Sequence, residues 1–252
     1  LGSAAGYGSS FPLNRQMTTD LLGFESMDYN VVYAQMTRGK LERTVAFALA
    51  SVAGTISRLA FDACMFNSQN FAFIKLPDDC TTGSSIMPHK KNPDVFELTR
   101  ARCNRLQALP QDIVLMTNNL PSGYFRDMQL VKELFLPAFE QLEQILTMTA
   151  YMLDHIKVRT DILDDSKYDA IFSVEEVNRL AAQGMPFREA YRKVASEIEA
   201  GTFKADRNIR HTHEGSIGNL CNDRISARMQ QEYNAFPFKQ IDQAIDRLTN
   251  GL

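Results

Sequence analysis

The sequence predicts an all-α protein in which a bundle of long helices precedes a small C-terminal helical domain. Three observations support this fold class. Few segments alternate apolar and polar residues with the period of two that strands require, whereas long stretches show helical spacing. No proline occurs between Pro12 and Pro77. Further along the chain, apolar residues recur mostly three and four positions apart, at Phe135, Phe139, Leu142, Leu146, Leu153 and Ile156.

The first long helix is predicted from Tyr29 to about Asn70, either as one helix or as two helices joined near Gly39 or Gly54. Its middle, residues 45–50, is apolar on every face, which is typical of a helix that is buried on all sides. The alanines and glycines of this region would allow neighbouring helices to approach closely.

Two further long helices are predicted to complete the bundle. Asp94 can cap the second helix, which extends to about Asn118 and should kink at Pro110, because a proline ring clashes with the preceding turn. The third helix carries the apolar residues described above, whose spacing is typical of bundle packing. Pro137 lies inside this helix and should bend it.

Beyond about residue 158, the sequence predicts shorter helices separated by closely spaced helix-ending residues. Gly184 is suited to the position that follows a helix, and Pro186 to the first turn of the next helix. Four short helices are expected, over residues 174–182, 186–199, 223–233 and 238–248.

The chain is therefore predicted to divide into two domains. Residues 1–157 form the central bundle domain, which contains a candidate catalytic loop at 81–93, and residues 158–252 form the small C-terminal domain. The chain starts at Leu1 without an initiator methionine, and its first residues do not read as a signal peptide. It is therefore expected to be a fragment of a longer protein.

Composition excludes several classes of function. The formal net charge of −3 gives no basic surplus for nucleic-acid binding. The longest nearly apolar run, Val45–Ile56, is too short to span a bilayer, so no membrane segment is expected. The four cysteines are scattered without a Cys-x-x-Cys pair, which favours free thiols in a reducing cytoplasm. His211 and His213 alone make a weak set of metal ligands, so neither a metal nor another cofactor is predicted.

The segment that is most informative about function covers residues 83–93. It begins with a flexible glycine and ends in a stretch that two prolines stiffen, which suits a loop that closes over a bound molecule. Ser84 is a candidate base, and Lys90 and Asn92 are candidate donors for a carboxylate. The combination predicts chemistry next to a carboxylate group.

The pattern Gly-Ser-Ser-x-Met-Pro-x-Lys-x-Asn-Pro in this segment resembles the signature of the fumarase/aspartase superfamily, whose members eliminate fumarate from succinyl compounds. Within that superfamily the chain is similar to the argininosuccinate lyases. Three further stretches carry this likeness: the glycine-rich residues 1–15, residues 120–132 and residues 184–190. The resemblance implies a fumarase/aspartase-like helical bundle, and it matches only the later part of that family's chain.

The resemblance also implies roles for residues of the loop. Ser84 would be the general base that removes a proton from the carbon next to a carboxylate. Because a serine hydroxyl is a weak base, the loop must supply backbone N–H groups and positive charge around its oxygen. Lys90 and Asn92 would hold the carboxylate on which charge accumulates. Three loop residues would support this arrangement: Gly83, Ser85 and Met87.

A second set of residues is matched to the substrate-binding positions of the argininosuccinate lyases. These residues are Tyr124, Gln129 and Lys132. The resemblance implies a homotetramer in the cytoplasm, with active sites shared between subunits and a small-molecule substrate. It places the general acid outside this chain, which alone would therefore be catalytically incomplete. The implied reaction is the elimination of fumarate from argininosuccinate in arginine biosynthesis.

Three alternatives remain open at the level of sequence. The family usually carries Arg-Asp where this chain has Tyr33-Ala34, and acidic residues where it has Leu130-Val131, so a modified argininosuccinate with a blocked α-amine is one alternative. His89 favours adenylosuccinate as another. A non-catalytic structural relative is the third, although the joint presence of Ser84, Lys90 and Asn92 argues against it.

Overall fold

The computed structural model describes residue 4 and residues 6–250 of the chain. These residues form nine α-helices and four two-residue strands, which confirms the all-α class. The helices are α1 (Arg15–Leu21), α2 (Val31–Met36), α3 (Lys40–Phe66), α4 (Asp94–Thr117), α5 (Val131–His155), α6 (Ser173–Ala182), α7 (Phe187–Glu199), α8 (Asn222–Ala235) and α9 (Phe238–Asn250). The strands are β1 (Ile74–Lys75), β2 (Thr82–Gly83), β3 (Lys91–Asn92) and β4 (Lys157–Val158).

The strands form two short antiparallel ladders. In one ladder, β1 pairs with β4. In the other, β2 pairs with β3, with Thr82 opposite Asn92 and Gly83 opposite Lys91. This second ladder joins the two ends of the loop that carries Ser84.

The first long helical stretch is broken at Gly39, one of the two positions at which a junction was predicted. Gly39 has a φ of +81° and separates α2 from α3. A side chain there would also clash with the methyl group of Thr117 at the end of α4. Gly54, the other candidate, lies inside α3, where its missing side chain leaves room for the amide of Gln107 on α4.

The core of the bundle lies where α3, α4 and α5 pack on each other, with α4 antiparallel to both α3 and α5. Alanines at seven-residue intervals on α3 allow α4 to approach closely, as the composition of this helix predicted: Ala46, Ala53 and Ala60 are fully buried. Two apolar clusters fill the space between the helices. The first contains Ala46, Ala53, Cys103, Leu106, Leu109, Ile113, Val131, Ala138, Leu142 and Ile145, and the second Ala60, Ala63, Leu76, Phe96 and Met152.

The expectation that the middle of α3 is buried on all sides is wrong for the single chain. Phe47 is 57% exposed and Ala48 is exposed, while Ala46 between the neighbouring helices is buried. The reason is that α4 and α5 cover only one face of α3.

Residues 31–66 are long and apolar enough to cross a bilayer. This finding corrects the expectation that was based on the shorter run 45–56. The core helices of other proteins meet the same criterion of length and hydropathy. One such helix is weak evidence and does not indicate a membrane protein.

The chain separates into two compact units, of which the first comprises the described parts of 1–159 and 238–252 and the second comprises 160–237. In the second unit, α6 and α7 occur where they were predicted and pack through Val177, Leu180, Ala190 and Val194. In the first unit, α9 contacts α1, and the Gln240 side-chain amide donates to the carbonyl of Gly23 at 2.8 Å. The domain boundary at residue 157 stays a prediction from the sequence.

Phe96 offers a direct test of this core. It is fully buried against the second apolar cluster, so Phe96→Ala is expected to lower the free energy of unfolding by about 3–5 kcal/mol, through lost burial and the cavity left behind. Urea unfolding of the 252-residue chain would measure the change. Phe187→Ala is a matched control, because Phe187 is 61% exposed, and should shift stability by about 0.5 kcal/mol or less. Equal effects of the two substitutions would contradict the packing described here.

Candidate active site

Ser84 follows directly after β2, and its hydroxyl oxygen receives two backbone hydrogen bonds. The amide of Ile86 donates to Ser84 Oγ at 3.2 Å, and the amide of Met87 donates to it at 3.1 Å. Two N–H donors aimed at one oxygen stabilise negative charge on that oxygen. The loop therefore supplies the kind of backbone environment that a serine base needs.

The remaining loop residues present their side chains to solvent. Lys90 is exposed, and its backbone amide donates to the carbonyl of Met87 at 3.1 Å, which turns the chain back towards β3. Ser85 and Met87 are also exposed. A Cβ atom at Gly83 would meet open space, so nothing in the surrounding structure requires a glycine at this position.

Two side-chain contacts hold the base of the loop. The carboxylate of Asp94 accepts hydrogen bonds from the amide and the hydroxyl of Thr82, and Asn92 donates to the Thr82 hydroxyl at 3.5 Å. Lys91 of β3 forms an ion pair with Asp78. The prediction that Asp94 caps α4 is wrong. Pro93 occupies the cap position, and Asp94 is the first helical residue, with its carboxylate bound to Thr82.

The Lys91–Asp78 pair predicts a specific titration behaviour. The hydrogen bond from Lys91, followed by the charge of Lys75, lowers the pKa of the Asp78 carboxyl group below its ordinary value. The pair therefore persists at neutral pH and is lost only as the pH falls through that lowered pKa. In an NMR titration, Lys91→Met should return the Asp78 pKa towards its ordinary value, and Lys75→Met should have a smaller effect because its Nζ lies 4.0 Å away. An unchanged Asp78 pKa in Lys91→Met would exclude this pairing.

The second set of predicted site residues surrounds the start of α5. Gln129, at the end of a short 3₁₀-helix over Arg126–Gln129, donates from its amide to the hydroxyl of Tyr124 at 3.0 Å. Lys132 is the second residue of α5, and all three predicted side chains are exposed. Met128 is buried between them and anchors the segment.

Tyr7 also belongs to this region, although sequence reasoning missed it. Its hydroxyl lies so close to Gly123, which has a φ of +122°, that any side chain at position 123 would clash with it. The signal in the sequence was the glycine immediately before Tyr124. The partner could not be inferred, because it lies more than a hundred positions earlier in the chain.

A hydrogen bond joins Gln129 to Tyr124 within the second set, and the two sets lie at different ends of α4. The loop with Ser84, Lys90 and Asn92 precedes the first residue of α4, whereas Tyr124, Gln129 and Lys132 follow the last. Since α4 has 24 residues and rises 1.5 Å per residue, its ends lie about 36 Å apart. The two sets therefore occupy opposite ends of the bundle in a single chain.

The histidines of the second unit have protein partners rather than a metal-like arrangement. His211 Nδ1 lies 2.6 Å from the hydroxyl of Ser216, and its Nε2 lies 2.9 Å from Glu175. The ring of His213 stacks on that of His211. Within residue 4 and residues 6–250, no group of three or more His, Cys, Asp or Glu side chains could hold a metal ion.

Comparison with known proteins relates this chain to lyases. Residues 1–108 match a family model described as "Lyase". An argininosuccinate lyase of Bacteroides thetaiotaomicron is 73% identical over 244 residues, which are 97% of this chain and 55% of that relative. An argininosuccinate lyase of Parabacteroides distasonis is 67% identical over 251 residues, covering 100% of this chain and 56% of the relative. The chain thus spans about half the length of the curated relatives it matches.

Solved structures agree on the fold. The crystal structure of EDDS lyase in complex with formate superimposes with a TM-score of 0.65 and 24% sequence identity, over 80% of this chain and 41% of that chain. At this identity, the likeness establishes the fold alone. The sequence identities, in contrast, extend over nearly the whole of this chain. Over the length that it spans, the chain is therefore similar to argininosuccinate lyases, at 67–73% sequence identity.

Proposed function

We propose that the whole protein is a C–N lyase that eliminates fumarate from argininosuccinate and releases arginine. The observation that carries this proposal is the loop at 81–93, where two backbone amides point at Ser84 Oγ a few residues from Lys90 and Asn92. These are the parts that proton abstraction beside a carboxylate requires: a base with a stabilised oxyanion, and donors for the developing negative charge.

In the proposed reaction, Ser84 removes a proton from the carbon next to a carboxylate of the succinyl group. The electron pair left behind moves onto that carboxylate, which Lys90 and Asn92 hold through charge-assisted hydrogen bonds. The carbon–nitrogen bond then breaks, and the guanidinium nitrogen takes up a proton as arginine leaves. Tyr124, Gln129 and Lys132 are proposed to bind the substrate away from the reacting carbon.

The two sets of residues lie at opposite ends of α4, which is about 36 Å long, and this placement supports a shared active site. Argininosuccinate is too short to extend from the loop to Lys132 of the same chain. We therefore propose that copies of the chain associate, as a homotetramer, so that the loop of one subunit meets the Tyr124–Gln129 segment of another. The exposed apolar face of α3, which includes Phe47, supports association through the bundle.

We propose that the protein acts in arginine biosynthesis, since the product of the proposed reaction is arginine. We also propose that it does so in the cytoplasm, because its scattered cysteines favour a reducing compartment. The test is fumarate release by the full-length protein, followed by ultraviolet absorbance. Three substrates should be compared at equal concentration: argininosuccinate, its form with a blocked α-amine, and adenylosuccinate. Turnover of argininosuccinate with the highest kcat/KM is expected. Preference for either of the other substrates would replace the proposed substrate, and no turnover of any would favour a non-catalytic relative.

A further inference from the structure

The hydrogen bonds at the base of the loop form a directed chain through Thr82. A carboxylate accepts hydrogen bonds and has none to donate, so the Thr82 hydroxyl proton points towards Asp94 Oδ2. The Thr82 oxygen is then left with lone pairs alone. It can therefore be approached only by a donor, and the group that approaches it is the side-chain NH₂ of Asn92, at 3.5 Å.

This order has a consequence for Asn92. The amide group of an asparagine can present either its oxygen or its nitrogen to a neighbour, and an acceptor-only oxygen selects the nitrogen. With one N–H directed at Thr82, the Asn92 amide is held in a single orientation. Its second N–H is free to donate to a substrate carboxylate, which is the role proposed for Asn92.

The loop needs such reinforcement because its ladder is short. β2 and β3 contribute only two residues each, and an isolated two-stranded ribbon is marginally stable in water even when it is longer. Seven residues, 84–90, lie between the ends of this ladder. The bonds from Thr82 to Asp94, on the rigid first turn of α4, fix the entry of the loop, and the Asn92 amide ties the exit of the loop to Thr82 Oγ1.

We propose that Thr82 and Asp94 are positioning residues for the reaction. They do not touch the substrate. They hold the Ser84 base and the Asn92 amide in a fixed mutual geometry and set which end of that amide faces the substrate. This inference rests on the proposed function, because it assigns Thr82 and Asp94 to the same site.

The test is the pair Thr82→Val and Thr82→Ser in the full-length protein. Valine keeps the size and branching of threonine but cannot donate to Asp94 or accept from Asn92, so kcat should fall about 10- to 100-fold. Serine keeps the hydroxyl and should retain kcat near the wild-type value. KM should change much less than kcat, because Asn92 acts most strongly where charge develops. Thr202→Val is the matched control, since Thr202 is exposed and donates only to its own chain segment at Glu197.

A second measurement on the same proteins is independent of the substrate. Amide hydrogen exchange over residues 84–92 should be faster in Thr82→Val than in the wild type and unchanged in Thr82→Ser. If Thr82→Val matches the wild type in both kcat and exchange, the inference is overturned. If the wild-type protein releases no fumarate but Thr82→Val still accelerates exchange of the loop, the anchoring by Thr82 stands and the proposed function fails.

Discussion

Replacement of Ser84 by alanine is expected to lower kcat for fumarate release from argininosuccinate by about 10²- to 10⁴-fold, the usual contribution of a general base. KM should change little, because the carboxylate is held by Lys90 and Asn92 rather than by Ser84. The loop should lose the two hydrogen bonds that Ile86 and Met87 donate to the hydroxyl. Because these bonds lie at an exposed turn, their loss should change the stability of the folded protein little.

Initial rates of fumarate formation by the full-length protein would measure this loss. Ser196→Ala makes the same substitution at an exposed position of α7 and should leave kcat unchanged. The thermal unfolding midpoint should be the same in both variants, which separates a catalytic loss from a loss of folded protein. A Ser84→Ala protein with wild-type kcat would show that another group removes the proton.

Activity is expected to return when two inactive variants are combined in one assembly. Ser84→Ala damages the loop end of a chain, and Lys132→Met damages the opposite end. If each site takes these two ends from different chains, mixed assemblies contain some sites in which both are intact. Co-refolding the two variants should raise the fumarate-release rate about tenfold or more above that of either variant alone.

The control for this experiment pairs Ser84→Ala with Asn92→Ala. Both substitutions lie in the same loop, so every loop in a mixed assembly carries one of them and no recovery is expected. Recovery with Lys132→Met but not with Asn92→Ala would support a shared site. Failure of both pairs, with mixed assemblies confirmed by mass spectrometry, would mean that each site is built from a single chain.

Much of the secondary structure was predictable because it depends on local pattern. The C-terminal end of α6 follows from Gly184, and the start of α7 follows from Pro186. The backbone preferences of these two residues act within one or two positions. The break at Gly39 was one of two junctions that the sequence left open, and the positive φ of Gly39 decided between them. The loop residues were also found from sequence alone, since Ser84, Lys90 and Asn92 lie within one short segment with an unusual combination of residue types.

What only the tertiary structure decided concerns contacts between segments that are distant along the chain. A helix pattern predicted Asp94 as a cap, but its carboxylate binds Thr82, twelve positions earlier. Burial of α3 depends on which faces its neighbours cover, so an all-round apolar pattern did not reveal that Phe47 remains exposed.

The arrangement of the site shows the same division. The sequence by itself determined which residue types are present and that the chain forms long helices, because both depend on composition and short-range spacing. The position of Ser84 and Lys132 at opposite ends of the bundle became evident only from the fold, because it depends on the length and direction of α4 between them. Residue identity is a local property of the chain, whereas distance between residues is set by how the helices pack.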